Sequence, residues 1–232
     1  MTGAILAGGF GTRLREVLPD RAKPVAPVNG RPFLEFLLAQ LRPVVSRIIL
    51  CTGYRAADVR QEIGDEWDGI PVLYSWEREP LGTAGALREA WRNYGQGAAW
   101  MIANGDSYVE IDPGELIAEH RSAGLIATMA AVEVEDGRRY GSLDIAADGR
   151  LLSFREKSDE PGSRWINAGV YIFEPALFEG LDDRTPLALE RDILPGCIAR
   201  GVHIARRRAR FIDIGTPESY ARAQEFFRAR RE

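Results

Sequence analysis

The chain has 232 residues, of which 45% are hydrophobic and 28% charged, a composition that suits a globular protein with a sizeable core. A net charge of −4 argues against a nucleic-acid partner, and the lack of a charged leader or a long apolar run argues against secretion and membrane insertion. We therefore expect a cytoplasmic protein whose two cysteines, Cys51 and Cys197, are reduced and buried.

Strands and helices alternate along the first half of the chain. Apolar runs predict strands at 3–7, 47–52, 72–75 and 98–103, and helical periodicity predicts helices at 33–41, 56–63, 82–94 and 113–123. This alternation is typical of an α/β, Rossmann-like fold, in which helices cover both faces of a mostly parallel sheet.

The second half is richer in strands. They are predicted at 127–134, 142–145, 151–155, 165–173, 202–204 and 211–214, with turns at Asp136–Gly137 and Asp148–Gly149. A helix is predicted from 187 to 200, and Thr216 and Pro217 mark the start of a final helix. Without a linker or repeat, we expect one domain over residues 1–232.

The stretch that follows the first strand reads L-A-G-G-F-G-T-R-L. Its glycines lie at the carboxyl edge of the predicted sheet, where open α/β folds bind ligands and where bare backbone N–H groups can approach phosphate oxygens. A tight turn would explain the glycines but not the adjacent Arg13. The P-loop pattern requires a lysine directly after a glycine, and the dinucleotide pattern requires a third glycine where Leu14 stands, so neither is met.

Lysine is rare in this chain: of 30 basic residues, only Lys23 and Lys157 are lysines. Chance or codon drift is one explanation. The other is that both positions need a compact, strongly hydrated charge, which guanidinium does not supply and for which phosphate is the usual partner.

The pattern G-x-G-T-R-L followed by Lys23–Pro24 resembles the signature of the sugar nucleotidyltransferases. These enzymes have a GT-A-like fold and join a nucleoside triphosphate to a sugar 1-phosphate, with release of pyrophosphate. The resemblance implies a nucleotide-binding part (1–126), a mainly sugar-binding part (127–216) and a C-terminal helix (217–232). It also implies catalytic roles for Arg13 and Lys23, and nucleotide binding by Leu6, Ala7, Gly8, Gly9, Gly11, Thr12, Gly82, Thr83, Asn104 and Gly105.

Two acids stand at the ends of apolar strands. Asp106 follows the strand that ends near Ala103, and Asp213 lies in F-I-D-I-G-T-P. The resemblance makes both of them ligands of Mg²⁺, which proteins usually hold with one or two carboxylates and substrate phosphates. For Asp213 alone, a carboxylate near a helix start remains an alternative.

Further motifs resemble the family's sugar phosphate pocket. The resemblance assigns Glu156 to the sugar hydroxyls and Lys157 to the phosphate, with Asn167, Gly169 and the backbone of Gly141 around the ring. An exposed Glu–Lys pair on a strand edge is the plain alternative. The Arg206–Arg210 cluster fits a solvated strand face, and an oligomer contact or an anionic ligand stays open.

Three stretches carry a narrower resemblance: K-P-V-A-P-V-N-G-R-P-F-L-E from Lys23, N-G-D-S-Y from Asn104 and L-E-R-D from Leu189. Together they look most like bacterial D-glycero-D-manno-heptose 1-phosphate guanylyltransferases, which supply GDP-heptose for surface polysaccharide and capsule. The expected partners are then GTP and a heptose 1-phosphate, and a homo-oligomer is left open. The alternatives are another sugar-1-phosphate uridylyl- or thymidylyltransferase, a mannose-1-phosphate guanylyltransferase, and a regulatory subunit that binds sugar nucleotides without turnover. A dinucleotide-dependent oxidoreductase is disfavoured by the missing third glycine.

Overall fold

The computed structural model describes residues 1–95, 97–135, 137, 140–155 and 164–228. The strands are β1 (Thr2–Leu6), β2 (Pro27–Val28), β3 (Arg31–Pro32), β4 (Arg47–Thr52), β5 (Glu66–Trp67), β6 (Ile70–Trp76), β7 (Trp100–Asn104), β8 (Ser107–Val109), β9 (Ala127–Glu133), β10 (Ser142–Ile145), β11 (Leu151–Arg155), β12 (Trp165–Phe173), β13 (Val202–Arg207) and β14 (Phe211–Asp213). The helices are α1 (Phe33–Leu41), α2 (Ala56–Ile63), α3 (Thr83–Tyr94), α4 (Pro113–Ala123), α5 (Pro175–Glu179), α6 (Leu194–Cys197) and α7 (Pro217–Arg228).

The centre of the sheet is parallel and runs in the order β6-β4-β1-β7. Strand β1 lies between β4, which follows it in the chain, and β7, which comes much later. The strand order therefore reverses between β1 and β7, and such a point opens a crevice at the carboxyl ends of the strands. The register pairs Leu6 with Asn104 at that crevice.

Antiparallel strands extend the sheet beyond β7. Strand β12 pairs antiparallel with β7 and β9, and β10 and β11 follow as a hairpin beside the first residues of β12. The pairing of β12 with β9 shifts register between Asn167 and Tyr171. The predicted α/β class, a mostly parallel sheet with a β-rich addition, is confirmed.

Helices cover both faces of the sheet, as predicted. One apolar core contains the inner residues of α1, α2, α4 and α7, and the other contains those of α3, α5 and α6. Successive residues of β1 alternate between the two cores, Ala4 facing one and Ile5 the other. A strand that is buried on both faces reads as a continuous apolar run, which is why the sequence reveals it.

The helix predicted from 187 to 200 is wrong as a single element. The chain instead forms a π-helical turn (Leu189–Ile193), the short helix α6 and a 3₁₀ turn (Ile198–Arg200). Pro195 has no N–H to donate to the preceding turn, and its ring clashes with the carbonyl four residues before it, so a regular α-helix cannot continue through it.

The arginine cluster lies on β13 and the residues after it. Strand β13 continues to Arg207, beyond the predicted end at 204, and Arg207 pairs with Glu119. Arg208 pairs with Glu133 at 2.9 Å, and Arg210 donates to the Phe226 carbonyl at 2.6 Å. Much of the cluster's charge is thus paired within the chain.

Both cysteines are free and buried, as expected, and burial raises the pKa of each thiol. Over the described ranges, no helix combines the length and the apolar character that crossing a membrane would need.

Candidate active site

Two cavities adjoin each other at the carboxyl ends of the central strands. The first has a volume of about 830 Å³ and is walled by the parallel half of the sheet. The second has a volume of about 820 Å³ and is walled largely by residues from 140 onward. We call the residues that line both cavities the junction: Gly11, Lys23, Asn104 and Asp106.

Most predicted site residues line one cavity or the other. The first cavity takes in Leu6, Ala7, Gly8, Gly9, Gly82, Thr83 and Gly105, besides the junction. The second takes in Thr12, Arg13, Gly141, Asn167 and Asp213, besides the junction. Gly169 lines neither cavity and instead lies behind Asn104, since a Cβ there would come within 2.9 Å of the amide nitrogen. Glu156 and Lys157 lie outside the described residues, and so does Asp136 of the predicted Asp136–Gly137 turn.

Backbone geometry shapes the junction. Gly11 has a φ of +57°, and a Cβ at this position would lie 3.0 Å from the Cβ of Lys23, so a larger residue would displace the lysine. Gly105 donates to the Leu6 carbonyl at 2.9 Å, and a Cβ there would lie 2.5 Å from that oxygen. The ends of β1 and β7 can approach each other this closely because Gly105 has no side chain.

The antiparallel pair β8–β14 brings the two predicted metal ligands together. Asp213 lies opposite Ser107, and the Ile214 N–H donates to the Asp106 carbonyl at 2.8 Å. Lys23 Nζ donates to Asp106 Oδ2 at 2.6 Å, and only 13% of the lysine side chain is exposed. Residues that are far apart in sequence, Lys23, Asp106 and Asp213, therefore face one cavity.

The Asp213 carboxylate is held in its ionised form. Burial alone raises its pKa, but three donors oppose burial: the Gly215 N–H at 2.7 Å, the Tyr140 hydroxyl at 2.8 Å and the Ser219 hydroxyl at 3.0 Å. Together with the charge of Lys23 they outweigh burial, and the pKa lies below its ordinary value.

The donor set of Asp106 and Asp213 fits Mg²⁺. The Asp106 side chain is 47% exposed and has carboxylate lone pairs beyond the one that accepts from Lys23. Across the described ranges, no group of three acidic, histidine or cysteine side chains is placed to enclose a metal ion. A site with two carboxylates and room for water and phosphate is the kind that Mg²⁺ favours, since it dehydrates reluctantly.

Several residues of the site were not predicted from the sequence. Tyr140, which holds Asp213, and Glu190 both line the second cavity, and Glu77 lines the first. Glu77 accepts from the Leu81 N–H at 3.0 Å. Burial raises the pKa of Glu77, while the hydrogen bond from Leu81 lowers it, and burial prevails. Only for Glu190, in L-E-R-D, did a motif give any signal.

The chain is similar to known proteins over almost its whole length. The family described as nucleotidyl transferase matches residues 2–230. The D-glycero-alpha-D-manno-heptose 1-phosphate guanylyltransferase of Aneurinibacillus thermoaerophilus is 34% identical over 97% of both chains. The mannose-1-phosphate guanylyltransferase of Mycobacterium tuberculosis is 32% identical over 94% of this chain, which spans 62% of that protein.

A solved structure is similar over nearly its whole length. The crystal structure of HddC from Yersinia pseudotuberculosis complexed with GMP-PN superposes with a TM-score of 0.85. The two sequences are 36% identical, and the alignment covers 97% of this chain and 99% of that one.

Proposed function

This chain belongs to the nucleotidyl transferase family, and we propose that it transfers a nucleotidyl group from GTP to a heptose 1-phosphate, giving GDP-heptose and pyrophosphate. One observation carries the proposal. Lys23, Asp106 and Asp213 lie at or beside the junction, between two cavities that are each large enough for one substrate. A reaction between two phosphate groups needs cationic and metal-binding side chains at the place where the two substrates meet.

The first cavity suits the nucleoside triphosphate. It runs from Lys23 and Asp106 at the junction along the glycine loop to the start of α3 at Thr83. The glycines allow backbone N–H groups to approach phosphate oxygens, and the lysine offers a compact charge. The triphosphate would therefore lie towards the junction and the base would lie deeper in the cavity, near Glu77.

The carboxylate of Glu77 favours guanine. An ionised carboxylate only accepts hydrogen bonds. Guanine presents two adjacent donors, the N1–H and the 2-amino group, whereas uracil and thymine place one N–H between two carbonyls. Adenine and cytosine place an amino group beside an acceptor nitrogen. Glu77 would thus accept two hydrogen bonds from guanine and would meet an acceptor on every other base.

The second cavity suits the sugar 1-phosphate. Arg13, Gly141 and Asn167 line it, and Glu156 and Lys157 are proposed to complete it. The heptose is proposed because relatives that bear that name align over nearly their whole length. Since a nucleoside triphosphate is a metabolite of the cytoplasm, we propose that the reaction takes place there and feeds surface polysaccharide or capsule.

Chemistry at the junction requires positioning more than proton transfer. A sugar phosphate oxygen attacks the α-phosphorus of the triphosphate, and the bond from that phosphorus to the bridging oxygen of the β-phosphate breaks. The attacking phosphate is mostly dianionic at pH 7, since its second pKa is about 6, so no general base is needed. Lys23 and Arg13 lower the repulsion between the two anions and stabilise the leaving pyrophosphate.

Asp106 and Asp213 would hold Mg²⁺, which, when bound, would neutralise phosphate charge. The family generally uses a divalent metal, and magnesium is our proposal for this chain.

A pyrophosphate-release screen tests the function. GTP, ATP, UTP and dTTP are each paired with heptose, mannose and glucose 1-phosphates in the presence of Mg²⁺. We expect GTP with heptose 1-phosphate to react fastest. If another pair reacts fastest, the substrate assignment changes and the proposed transferase activity stands. If no pair releases pyrophosphate, the regulatory-subunit alternative is favoured.

The assignment of the base has its own test. Glu77→Gln replaces one acceptor with a donor, so we expect weaker binding of GTP and stronger binding of UTP, measured by titration without the sugar phosphate. Glu66→Gln removes the same charge from an exposed position on β5 and should leave the preference unchanged. A Glu77→Gln protein that still prefers GTP as strongly as the wild type would contradict the role of Glu77.

A further inference from the structure

Glu190 ends a chain of hydrogen bonds beside the second cavity. Tyr171 Oη donates to Glu190 Oε1 at 3.2 Å, and Asn167 Nδ2 donates to Tyr171 Oη at 2.6 Å. The Asn104 side chain also faces the phenol, and its amide lowers the pKa of Tyr171. Tyr171 is fully buried, so the hydrogen bonds at its hydroxyl form away from bulk water.

The charge of Glu190 fixes the direction of every bond in this chain. A carboxylate is an acceptor only, so the Tyr171 hydroxyl must direct its single proton towards Glu190. The phenol oxygen is then left to accept, so an asparagine beside it must turn its NH₂ group, and not its carbonyl, towards it. Burial, followed by the charge of Glu190, raises the pKa of Tyr171 well above its usual range.

Turning the NH₂ groups towards Tyr171 leaves two carbonyl oxygens as acceptors. Asn167 Oδ1 accepts from the Gly169 N–H at 2.9 Å and keeps one lone pair. Asn104 Oδ1 is buried and has no hydrogen-bond partner within the described part of the chain. A buried acceptor without a partner costs free energy, which a donor on a ligand would recover. Asn104 lies at the junction and Asn167 lines the second cavity.

Glu190 is also tied to the wall of the first cavity. The Thr83 hydroxyl accepts from the Leu189 N–H at 2.7 Å and points its proton at Glu190 Oε2, 3.5 Å away. The turn that carries Glu190 is thus anchored on the N-terminus of α3, and its carboxylate has a defined place between the two cavities.

We propose that Glu190 is a positioning residue for the sugar substrate: acting through Tyr171, its carboxylate sets the amides of Asn104 and Asn167 so that their oxygens accept hydrogen bonds from sugar hydroxyls. The inference rests on the proposed function, because a polyhydroxylated ligand is what two acceptors of this kind would recognise. Glu190 itself touches no reacting atom.

Steady-state kinetics of Glu190→Gln tests the proposal. Gln is isosteric and offers a donor, so the Tyr171 proton is no longer fixed and one or both amides can turn. We expect the KM for the sugar 1-phosphate to rise about tenfold, as for one misdirected buried hydrogen bond, with a much smaller change in the affinity for the triphosphate. Tyr171→Phe should raise the same KM. The double variant should be no worse than Tyr171→Phe, because Glu190 acts through the phenol.

Asp192→Asn is the matched control. Asp192 accepts from the Ala188 N–H at 2.7 Å and stabilises the same π-helical turn without touching Tyr171. This variant should lower the melting temperature and leave the KM for the sugar unchanged. If it reproduces the effect of Glu190→Gln, or if the effects of Glu190→Gln and Tyr171→Phe multiply, Glu190 has no positioning role.

A measurement that does not depend on catalysis distinguishes a failure of this inference from a failure of the proposed function. The side-chain NH₂ resonances of Asn104 and Asn167, observed by NMR, should shift together in Glu190→Gln and stay in place in Asp192→Asn. Unshifted resonances in Glu190→Gln would overturn the inference even in an active enzyme. A wild-type protein that releases no pyrophosphate would instead count against the function alone.

Discussion

The two cavities are built by different means. The first is walled mainly by backbone, where the ends of parallel strands approach each other through glycines such as Gly11 and Gly105. The second is walled by side chains that hydrogen bonds hold in place across distant segments, as Tyr140 holds Asp213. A backbone wall resists substitutions that add atoms, whereas a side-chain wall resists substitutions that remove hydrogen-bond partners.

The largest effect on activity is expected at the junction, because its residues belong to the walls of both cavities. Lys23→Ala should lower kcat by about 10²–10³-fold, or about 2.7–4 kcal/mol, by analogy with the loss of one donor to a developing anion. Arg21→Ala removes a neighbouring cation whose side chain is 49% exposed and should retain activity. Pyrophosphate release measures both variants. Wild-type turnover by Lys23→Ala would remove the lysine from the mechanism.

Tyr140→Phe tests the side-chain wall. The variant removes the donor to Asp213, and a hydrogen bond to a charged group contributes about 1.5–3 kcal/mol. We expect kcat/KM to fall about tenfold or more, and the melting temperature to fall as well, because the same hydrogen bond stabilises the folded chain. Tyr94→Phe removes a hydroxyl that donates to the Tyr74 carbonyl at 3.0 Å, outside both cavities, and should keep full activity. Equal activities in the two variants would contradict the role of Tyr140.

Gly105→Ala tests the backbone wall. The added methyl would lie 2.5 Å from the Leu6 carbonyl oxygen, so the ends of β1 and β7 must separate. Overpacking of this kind costs about 1–3 kcal/mol of unfolding free energy, which denaturant titration measures. At Gly9 a Cβ would meet no atom within 4 Å, so Gly9→Ala should be as stable as the wild type. Equal stability of the two variants would show that the strand ends adapt.

The smallest effect is expected at Asp144, in the β10–β11 hairpin away from the junction. Hydrogen bonds from Ser153, followed by Arg155, hold the pKa of Asp144 below its ordinary value despite partial burial. The contribution of the ionised Asp144 to folding stability is fully present above the unfolded pKa of about 3.9. It is lost as the pH falls through the folded pKa. The side chain is 38% exposed, so Asp144→Asn should cost under about 1 kcal/mol at pH 7.

Unfolding of the Asp144→Asn protein and the wild type, measured at pH 7 and pH 3, checks the direction of the pKa shift. The difference in unfolding free energy between the two proteins should be smaller at pH 3 than at pH 7. A difference that grows as the pH falls would reverse the assignment of the lowered pKa.

Most of the fold follows from local sequence signals. Helix α1 covers the predicted 33–41 and β4 covers the predicted 47–52, because each carries a periodic or continuous apolar run. Strand β8 was not predicted, since three residues are too few for a pattern and only pairing with β14 makes them a strand. Pro195, which the interior of a regular helix does not accommodate, is the local signal for the break of the predicted 187–200 helix.

The sequence predicted the first cavity better than the second. Its glycines and Thr83 follow one another in short motifs, and the structure places them along one wall. Tyr140 lies 73 residues from Asp213, and no local sequence pattern predicts a hydrogen-bond partner at that separation. That Asp106 and Asp213 face one cavity was expected from the resemblance, and their roles as ligands remain predictions.

The pairing of β8 with β14 has a consequence for the order in which the site is made. A ribosome completes the whole parallel half of the sheet, with its glycine loop and Lys23, long before Asp213 emerges. A nascent or truncated chain that stops short of β14 contains the glycine loop and Lys23 but lacks Asp213. If Asp213 is the metal ligand that we propose, turnover would require that translation has passed β14, and incomplete copies would consume no triphosphate.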